Sequence, residues 1–494
     1  MNFNEFRVEK DSLGEVLVPI DALYGAQTQR AIENFPITKR PIHKQMIRAV
    51  GMIKKASAIA NHKAELLDGR RSRYIIRACD EVIEGKLDQW FITDAIQGGA
   101  GTSVNMNANE VIANRAAQLA RRPIGEYDYI HPNDHVNFGQ STNDVYPSAG
   151  RLASLFMVKE LLKELQLLQV SLLKKSEEFE NVLKMGRTHL QDAIPIQLGQ
   201  EFHAFATSFT RDIKRIRVAF NDLKAVNMGA TAVGTGLNAD ERYKKIIVKE
   251  LSHICGITLT SAKDLVDSTR NVDTFVWASS SLKTLAVNLS KMANDLRLMA
   301  SGPKTGFGEI RFPERQPGSS IMPGKINPVI AEVTNQVCFN VFGNDLTILK
   351  AAEAGQLELN VFEPVLFYKI FESLETLTNV CYTLRVNAID GIEANVERCQ
   401  ELVDISIGTI TAVAPHIGYA NASKLAKQAL FENRKLKEIL LESKLIEPGE
   451  LEVILNAKTM TKPGIPGRKL LLKKTKEQSE REEHENKDDF SRED

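Results

Sequence analysis

The chain has 494 residues, ample for more than one domain, and its 63 Lys plus Arg balance 63 Asp plus Glu. That balance provides no basic field for nucleic acid and no acidic tract large enough to define the class, so a small-molecule partner is the expectation. Five widely spaced cysteines, Cys79, Cys255, Cys338, Cys381 and Cys399, form no Cys-x-x-Cys pair, which argues against a disulfide framework and a zinc site and points to a reducing compartment.

The N-terminus, Met1 to Arg7, lacks a basic stretch followed by an apolar core, and no segment approaches eighteen uninterrupted apolar residues. A soluble cytoplasmic protein is expected. Residues 12 to 37 are mixed, with Pro19 and Gly25 punctuating an ordered start that includes Tyr24-Gly25-Ala26-Gln27-Thr28. Helical patterns fill most of residues 43 to 120 and break at Gln97-Gly98-Gly99-Ala100-Gly101-Thr102-Ser103. A hydroxyl after glycines is a good helix N-cap, and a helix N-terminus attracts carboxylates. Capping alone accounts for Thr102; contact with a ligand is the functional alternative.

Residues 131 to 147 form a second polar cluster. His131 and His135 have i,i+4 spacing, but Pro132 makes a shared helix face doubtful, and no metal site is expected. Ser141, Thr142 and Asn143 offer three consecutive neutral hydrogen-bonding groups that suit a carboxylate, or that cap the next helix. That helix carries Leu155, Val158, Leu162, Leu165, Leu168 and Leu172 at spacings of three and four, the seam of a bundle. Next, Met185 to Pro195 reads as a Gly- and Pro-bounded loop holding Thr188 beside His189, an imidazole whose bland reading is structural. Gly229 to Asn238 reads as another flexible polar loop, from which Thr235 or Asn238 could reach a ligand.

A second seam, Leu282, Leu285, Leu289, Met292, Leu296 and Met299, leads into Ser301 to Glu309, where Gly and Pro forbid regular structure. Then comes Gly318-Ser319-Ser320-Ile321-Met322-Pro323-Gly324-Lys325-Ile326-Asn327-Pro328. Two glycines and two prolines at its edges and centre enclose two hydroxyls, an ammonium and an amide, so this is a loop that presents polar groups. Glu332 follows on a helical stretch, where a solvated position is its bland reading. From about 396 the helices shorten. Residues 477 to 494 hold nine acidic and three basic residues, a composition that buries too little to order itself. No Gly-rich phosphate or dinucleotide motif is present. The fold class is therefore mainly α: a long helical bundle at 141–395, flanked by smaller, mostly helical N-terminal (1–140) and C-terminal (396–468) domains, with a charged disordered tail at 469–494.

The Gly318–Pro328 stretch resembles the signature loop of the fumarase/aspartase superfamily, lyases acting across the double bond of fumarate. Tyr24 to Thr28, Gly101-Thr102-Ser103-Val104-Asn105, Gln140 to Asp144, Gly186-Arg187-Thr188-His189 and Gly229 to Asn238 are similar to further segments of that family, so the resemblance spans nearly all of residues 1 to 465. It implies Ser319 as the base, Ser320 being the alternative on the residues alone. It also implies His189 as a second catalytic group, substrate contacts from Thr102, Ser141, Thr142, Asn143, Thr188, Lys325 and Asn327, and Glu332 paired with His189 of the partner subunit. A homotetramer whose sites are each built from three chains is implied as well, with no cofactor and no metal.

The chemistry asks for the same groups. Removing a proton beside a carboxylate builds a second negative charge on that carboxylate, and neutral donors plus one cation stabilise it. A serine becomes a base only when N–H groups and positive charge hold its alkoxide. Gly101-Thr102-Ser103-Val104-Asn105, Gln140-Ser141-Thr142-Asn143-Asp144 in place of the Ser-Ser-Asn-Asp that fumarases tend to have, and Ala354-Gly355-Gln356-Leu357-Glu358-Leu359-Asn360 with Glu363-Pro364 resemble the ammonia-lyase branch. The implied reaction is deamination of L-aspartate to fumarate and ammonia; the alternative is fumarase chemistry, L-malate to fumarate and water. A structural descendant of the fold, of which lens crystallins are examples, need not keep this set of residues.

Overall fold

The computed structural model describes residues 5–490, with 481–490 described by backbone alone. A hairpin comes first: Phe6–Asp11 pairs antiparallel with Gly14–Pro19, and Asp11 accepts from the Leu13 N–H at 2.9 Å in the turn. Arg7 then gathers the following segment by donating to the carbonyls of Pro19, Ile20, Ala22 and Tyr24. Glu110 holds Tyr24–Thr28 in place, accepting from the N–H groups of Gly25, Gln27 and Thr28 and from the Thr28 hydroxyl. Four donors are what allow this carboxylate to sit buried.

The fold is mainly helical, as expected, and each sheet among the described residues has only two strands. The chain divides into two compact units, one made of residues 1–166, 209–290 and 333–382 and the other of 167–208, 291–332 and 383–494. In the first, Lys44–Lys63 packs on Gly69–Ile83 and on Glu241–Cys255, and Gly69–Ile83 packs in turn on Thr102–Leu119. His43 and Asp68 cap the first two of these helices, accepting from Gln45 N–H and from the Arg70 and Arg71 N–H groups respectively.

Among the described residues, the helices of 24 residues or more are Thr142–Glu178, Leu198–Asn221, Asp273–Met299, Val329–Glu353 and Glu363–Asn387. The Leu282 to Met299 seam is buried at every expected position. On Thr142–Glu178 the seam runs Val158, Leu161, Leu165, Leu168, Leu172; Leu161 takes the buried place expected for Leu162, which is half-buried. Pro147 lies early in that helix. Its ring nitrogen cannot bond the carbonyl of Asn143 four residues back, and the Asn227 side chain occupies that carbonyl instead at 3.0 Å.

In the second unit, residues 185–195, expected as a loop, lie within a β-hairpin of Leu183–Thr188 and Gln191–Gln197. Four short helices from Ile410 to Ile454 share a core of Val413, Leu425, Leu436, Ile439, Leu440, Leu451 and Ile454. Where composition was read as unable to order itself, Arg468–Phe490 is one helix. Leu470 and Leu471 are half-buried at its start, Lys474 donates to Glu450 at 2.6 Å, and residues 475–480 are exposed. Its Lys- and Glu-rich sequence has good helix propensity, which needs no core. The part of the expected tail at 491–494 lies outside the described residues. All five cysteines are free, and no described helix is long and apolar enough to cross a membrane.

Candidate active site

In the first unit two helix starts carry the polar groups. Gly101 has φ +88°, and a side chain there would collide with the Tyr146 ring, so only glycine fits the turn before Thr102–Leu119. The cap position belongs to Gly101 and not to Thr102, which is the first helical residue and is exposed. The expected capping role is therefore absent, and the Thr102 hydroxyl stands at the positive end of a helix dipole.

Ser141, Thr142 and Asn143 open the next long helix. Ser141 Oγ accepts from the Asn143 N–H at 3.2 Å, and Asp144 Oδ1 accepts from the Ser141 N–H at 3.0 Å, a reciprocal cap. Asn143 Nδ2 donates to the Ala232 carbonyl at 2.7 Å, leaving its oxygen as an acceptor. Thr142 Oγ1 accepts from Asn105 Nδ2 at 3.1 Å, so Asn105, one turn into the Thr102 helix, ties the two helix starts together. Asp144 Oδ2 also takes the N–H groups of Gly229 and Thr231, which fixes the Gly229–Asn238 loop to the same turn; Thr235 and Asn238 are exposed on it. His131 and His135 are engaged locally: each Nδ1 accepts a backbone N–H, from Asn133 and Asp134 and from His131 respectively.

In the second unit Thr188 ends a strand, and His189 and Leu190 make the hairpin turn with φ of +55° and +59°. All three are exposed. The strand is anchored just before them: Arg187 donates to Glu309 at 2.7 Å and lies 4.0 Å over the Phe307 ring, and Lys184 contacts Glu201 and Glu309 at 2.9 and 3.2 Å. Glu309 has no exposed surface, and two cations balance its charge.

The Gly318–Pro328 loop is closed by its own backbone. Gly318 N–H donates to the Lys325 carbonyl at 2.7 Å, and Asn327 Nδ2 donates to the Gly318 carbonyl at 2.5 Å. A side chain at Gly318 would collide with that Lys325 carbonyl. Inside this neck Ser319 Oγ accepts from the N–H groups of Ile321 at 3.2 Å and Met322 at 2.9 Å. Ser320 beside it is exposed. Two N–H groups aimed at one hydroxyl oxygen are the arrangement that favours its alkoxide. Lys325, Asn327 and Glu332 line an open cleft of about 840 Å³ together with Arg297 and Arg311. Ser319, Thr188 and His189 are not on the wall of that cleft. Glu332 sits in the first turn of Val329–Glu353 and is half-buried, between the solvated and the functional reading.

Asn105 and Asp144 were not singled out from the sequence. Both lay inside quoted motifs, and the available signal was a polar residue beside apolar ones near a helix start: Asn105 between Val104 and Met106, and Asp144 before Val145.

Comparison with known proteins bears on what this arrangement does. A family model described as lyase matches residues 14–343, and one described as the fumarase C C-terminus matches 410–462. An aspartate ammonia-lyase from a Bacillus species is 54% identical over 465 residues, 94% of this chain and 99% of its own. Among solved structures, a fumarate lyase:delta crystallin from Brucella melitensis, bound to cobalt, aligns with a TM-score of 0.91 at 48% identity, covering 93% of this chain and 100% of that one. A class II fumarase from Schistosoma mansoni aligns with a TM-score of 0.89 at 34% identity, with the same coverage.

Proposed function

Because the chain belongs to the fumarase/aspartase family of lyases, we propose that it deaminates L-aspartate to fumarate and ammonia with Ser319 as the base. Identity to an aspartate ammonia-lyase at 54%, against 34% to a fumarase, favours amine over water as the leaving group. The Ser319 oxygen, with two backbone N–H groups on it, is the observation that carries the mechanism.

In this reading Ser319 takes a proton from Cβ, and the electron pair moves onto the adjacent carboxylate. The amine then leaves as the double bond forms. Lys325 and Asn327 hold the carboxylate on which charge builds, and neutral donors from Ser141, Thr142 and Thr188 complete the cradle. Thr102, Asn143 through its free oxygen, and neutral His189 accept hydrogen bonds from the ammonium group. Glu332 orients His189 of the partner subunit. No cofactor is part of this proposal, in which side chains and backbone N–H groups alone move the proton and hold the developing charge.

A homotetramer with shared sites belongs to the same proposal. Thr188 and His189 sit on an exposed turn away from the Lys325 cleft, and the long helices expose Phe339, Leu346 and Leu349 on one and Trp277 and Val287 on another. Apolar side chains spaced along helices are normally covered by another surface, here a further copy. The domain limits 1–140, 141–395 and 396–468 and a cytoplasmic setting, consistent with five free cysteines, complete the reading.

Ser319→Ala tests it. The expected result is a kcat lowered by about 10²–10⁴, with unchanged circular dichroism and assembly size. A near-normal kcat would remove Ser319 from the mechanism.

A further inference from the structure

Lys54 has no exposed surface. It lies on the core-facing side of Lys44–Lys63, in line with Val50, Ile53 and Ser57, which are buried too. A lysine on such a face ordinarily runs its stem outward to water. This one turns inward, donating to Asn137 Oδ1 at 2.8 Å and Gln140 Oε1 at 3.0 Å. Asn137 Oδ1 also accepts from Asn105 Nδ2, and Asn105 reaches Thr142 Oγ1, so a continuous hydrogen-bond chain links the ammonium to the turn. Asp144, likewise without exposed surface, accepts from the Ser141 N–H directly.

We infer that Lys54 is a positioning residue whose buried ammonium balances the Asp144 carboxylate at the Ser141–Asn143 turn, so that the turn can receive an anionic substrate. The inference rests on the reading that this turn binds a substrate carboxylate. A lone carboxylate bonded to the first amide of the turn repels such a substrate through a poorly screened interior. With the ammonium held by Asn137 and Gln140, the repulsion is offset, and Asn105 and Thr142 are held in register. Burial pushes Lys54 down to about 7 and Asp144 up to about 6, and the attraction of each for the other opposes those shifts. The neighbouring Cys79 thiol and Tyr243 hydroxyl are kept neutral by burial and supply no alternative countercharge.

A double-mutant cycle separates this role from simple packing. Lys54→Met should raise KM for L-aspartate by about tenfold or more while kcat changes much less, because the charge left behind acts on binding. In an Asp144→Asn background, which by itself weakens the bonds from the Gly229 and Thr231 N–H groups, Lys54→Met should cost less than half as much on a logarithmic scale, since no uncompensated charge is left. Binding of succinate, an unreactive dicarboxylate, measured by calorimetry should follow the same pattern. If Lys54→Met does not fold, Gln140→Glu keeps the contact to Lys54 and adds a carboxylate, and should raise KM in the same way. An unchanged KM in Lys54→Met and Gln140→Glu, or a Lys54→Met cost undiminished in the Asp144→Asn background, would overturn the inference. Wild-type turnover is measured alongside: an inactive wild type would defeat the functional reading itself, whereas an active wild type with indifferent variants would defeat only the role of Lys54.

Discussion

Glu363 opens the helix Glu363–Asn387 at 2% exposure, and burial pushes its carboxyl up to about 8, an effect the Arg151 guanidinium offsets only in part. A carboxyl raised above its unfolded value of 4.5 contributes stability that is fully present below pH 4.5 and lost as pH rises to about 8. Within that window the loss approaches about 1.4 kcal/mol per pH unit. Glu363→Gln removes it, so unfolding free energies by denaturant should fall less steeply from pH 6 to pH 8 in the variant than in the wild type; parallel curves would contradict this. At this scale the sequence revealed groups that loops display. Ser319, Lys325 and Asn327 stand out because Gly318, Pro323, Gly324 and Pro328 forbid regular structure around them. Lys54 and Asp144 did not, although Lys54 interrupts an apolar helical stripe, because a lysine there is usually explained by its stem and an aspartate three residues after a serine by helix capping.

The elements were legible where periodicity was long. The Leu282 to Met299 seam is buried as spaced, and the shift from Leu162 to Leu161 on Thr142–Glu178 is a one-residue choice between neighbouring leucines. The hairpin at 183–197 was not legible, because Gly186 and Pro195 were weighed as breakers. In the structure Gly186 sits at the bulge, and Pro195 pairs with Met185 in a two-stranded sheet, where an edge position needs no N–H. The terminal helix was missed because failure to build a core was equated with failure to form a helix. Its contacts end early, which gives a sharp expectation: a chain stopped after Lys476 should keep its melting temperature, while one stopped after Gly467, lacking Leu470, Leu471 and the Lys474–Glu450 contact, should melt lower. A large drop for the first truncation would show that the remainder docks.

Across the whole molecule, the candidate groups lie at separate points along the chain: Thr102 and Ser141–Asn143 in one compact unit, Thr188, His189, Ser319, Lys325 and Asn327 in the other. Each was put forward from the sequence, through Gly- and Pro-bounded polar segments and through resemblance, but periodicity and composition carry no information on which copy of a helix supplies a neighbour. If sites are shared between subunits, mixing Ser319→Ala with His189→Ala after dissociation should regenerate sites in which both groups are intact, and with them some activity. Persistent inactivity after subunit exchange, verified with labelled chains, would contradict shared sites. The central claim is the elimination itself, and the leaving group decides it: an amine departs from a cationic nitrogen that needs acceptors, a hydroxyl from a neutral oxygen that needs a proton. Purified protein given L-aspartate and L-malate in turn, with fumarate followed by ultraviolet absorbance and ammonia by a coupled assay, tests that claim most directly. The account predicts fumarate and ammonia in equal amounts from aspartate and neither from malate, whereas fumarate from malate with none from aspartate would contradict it.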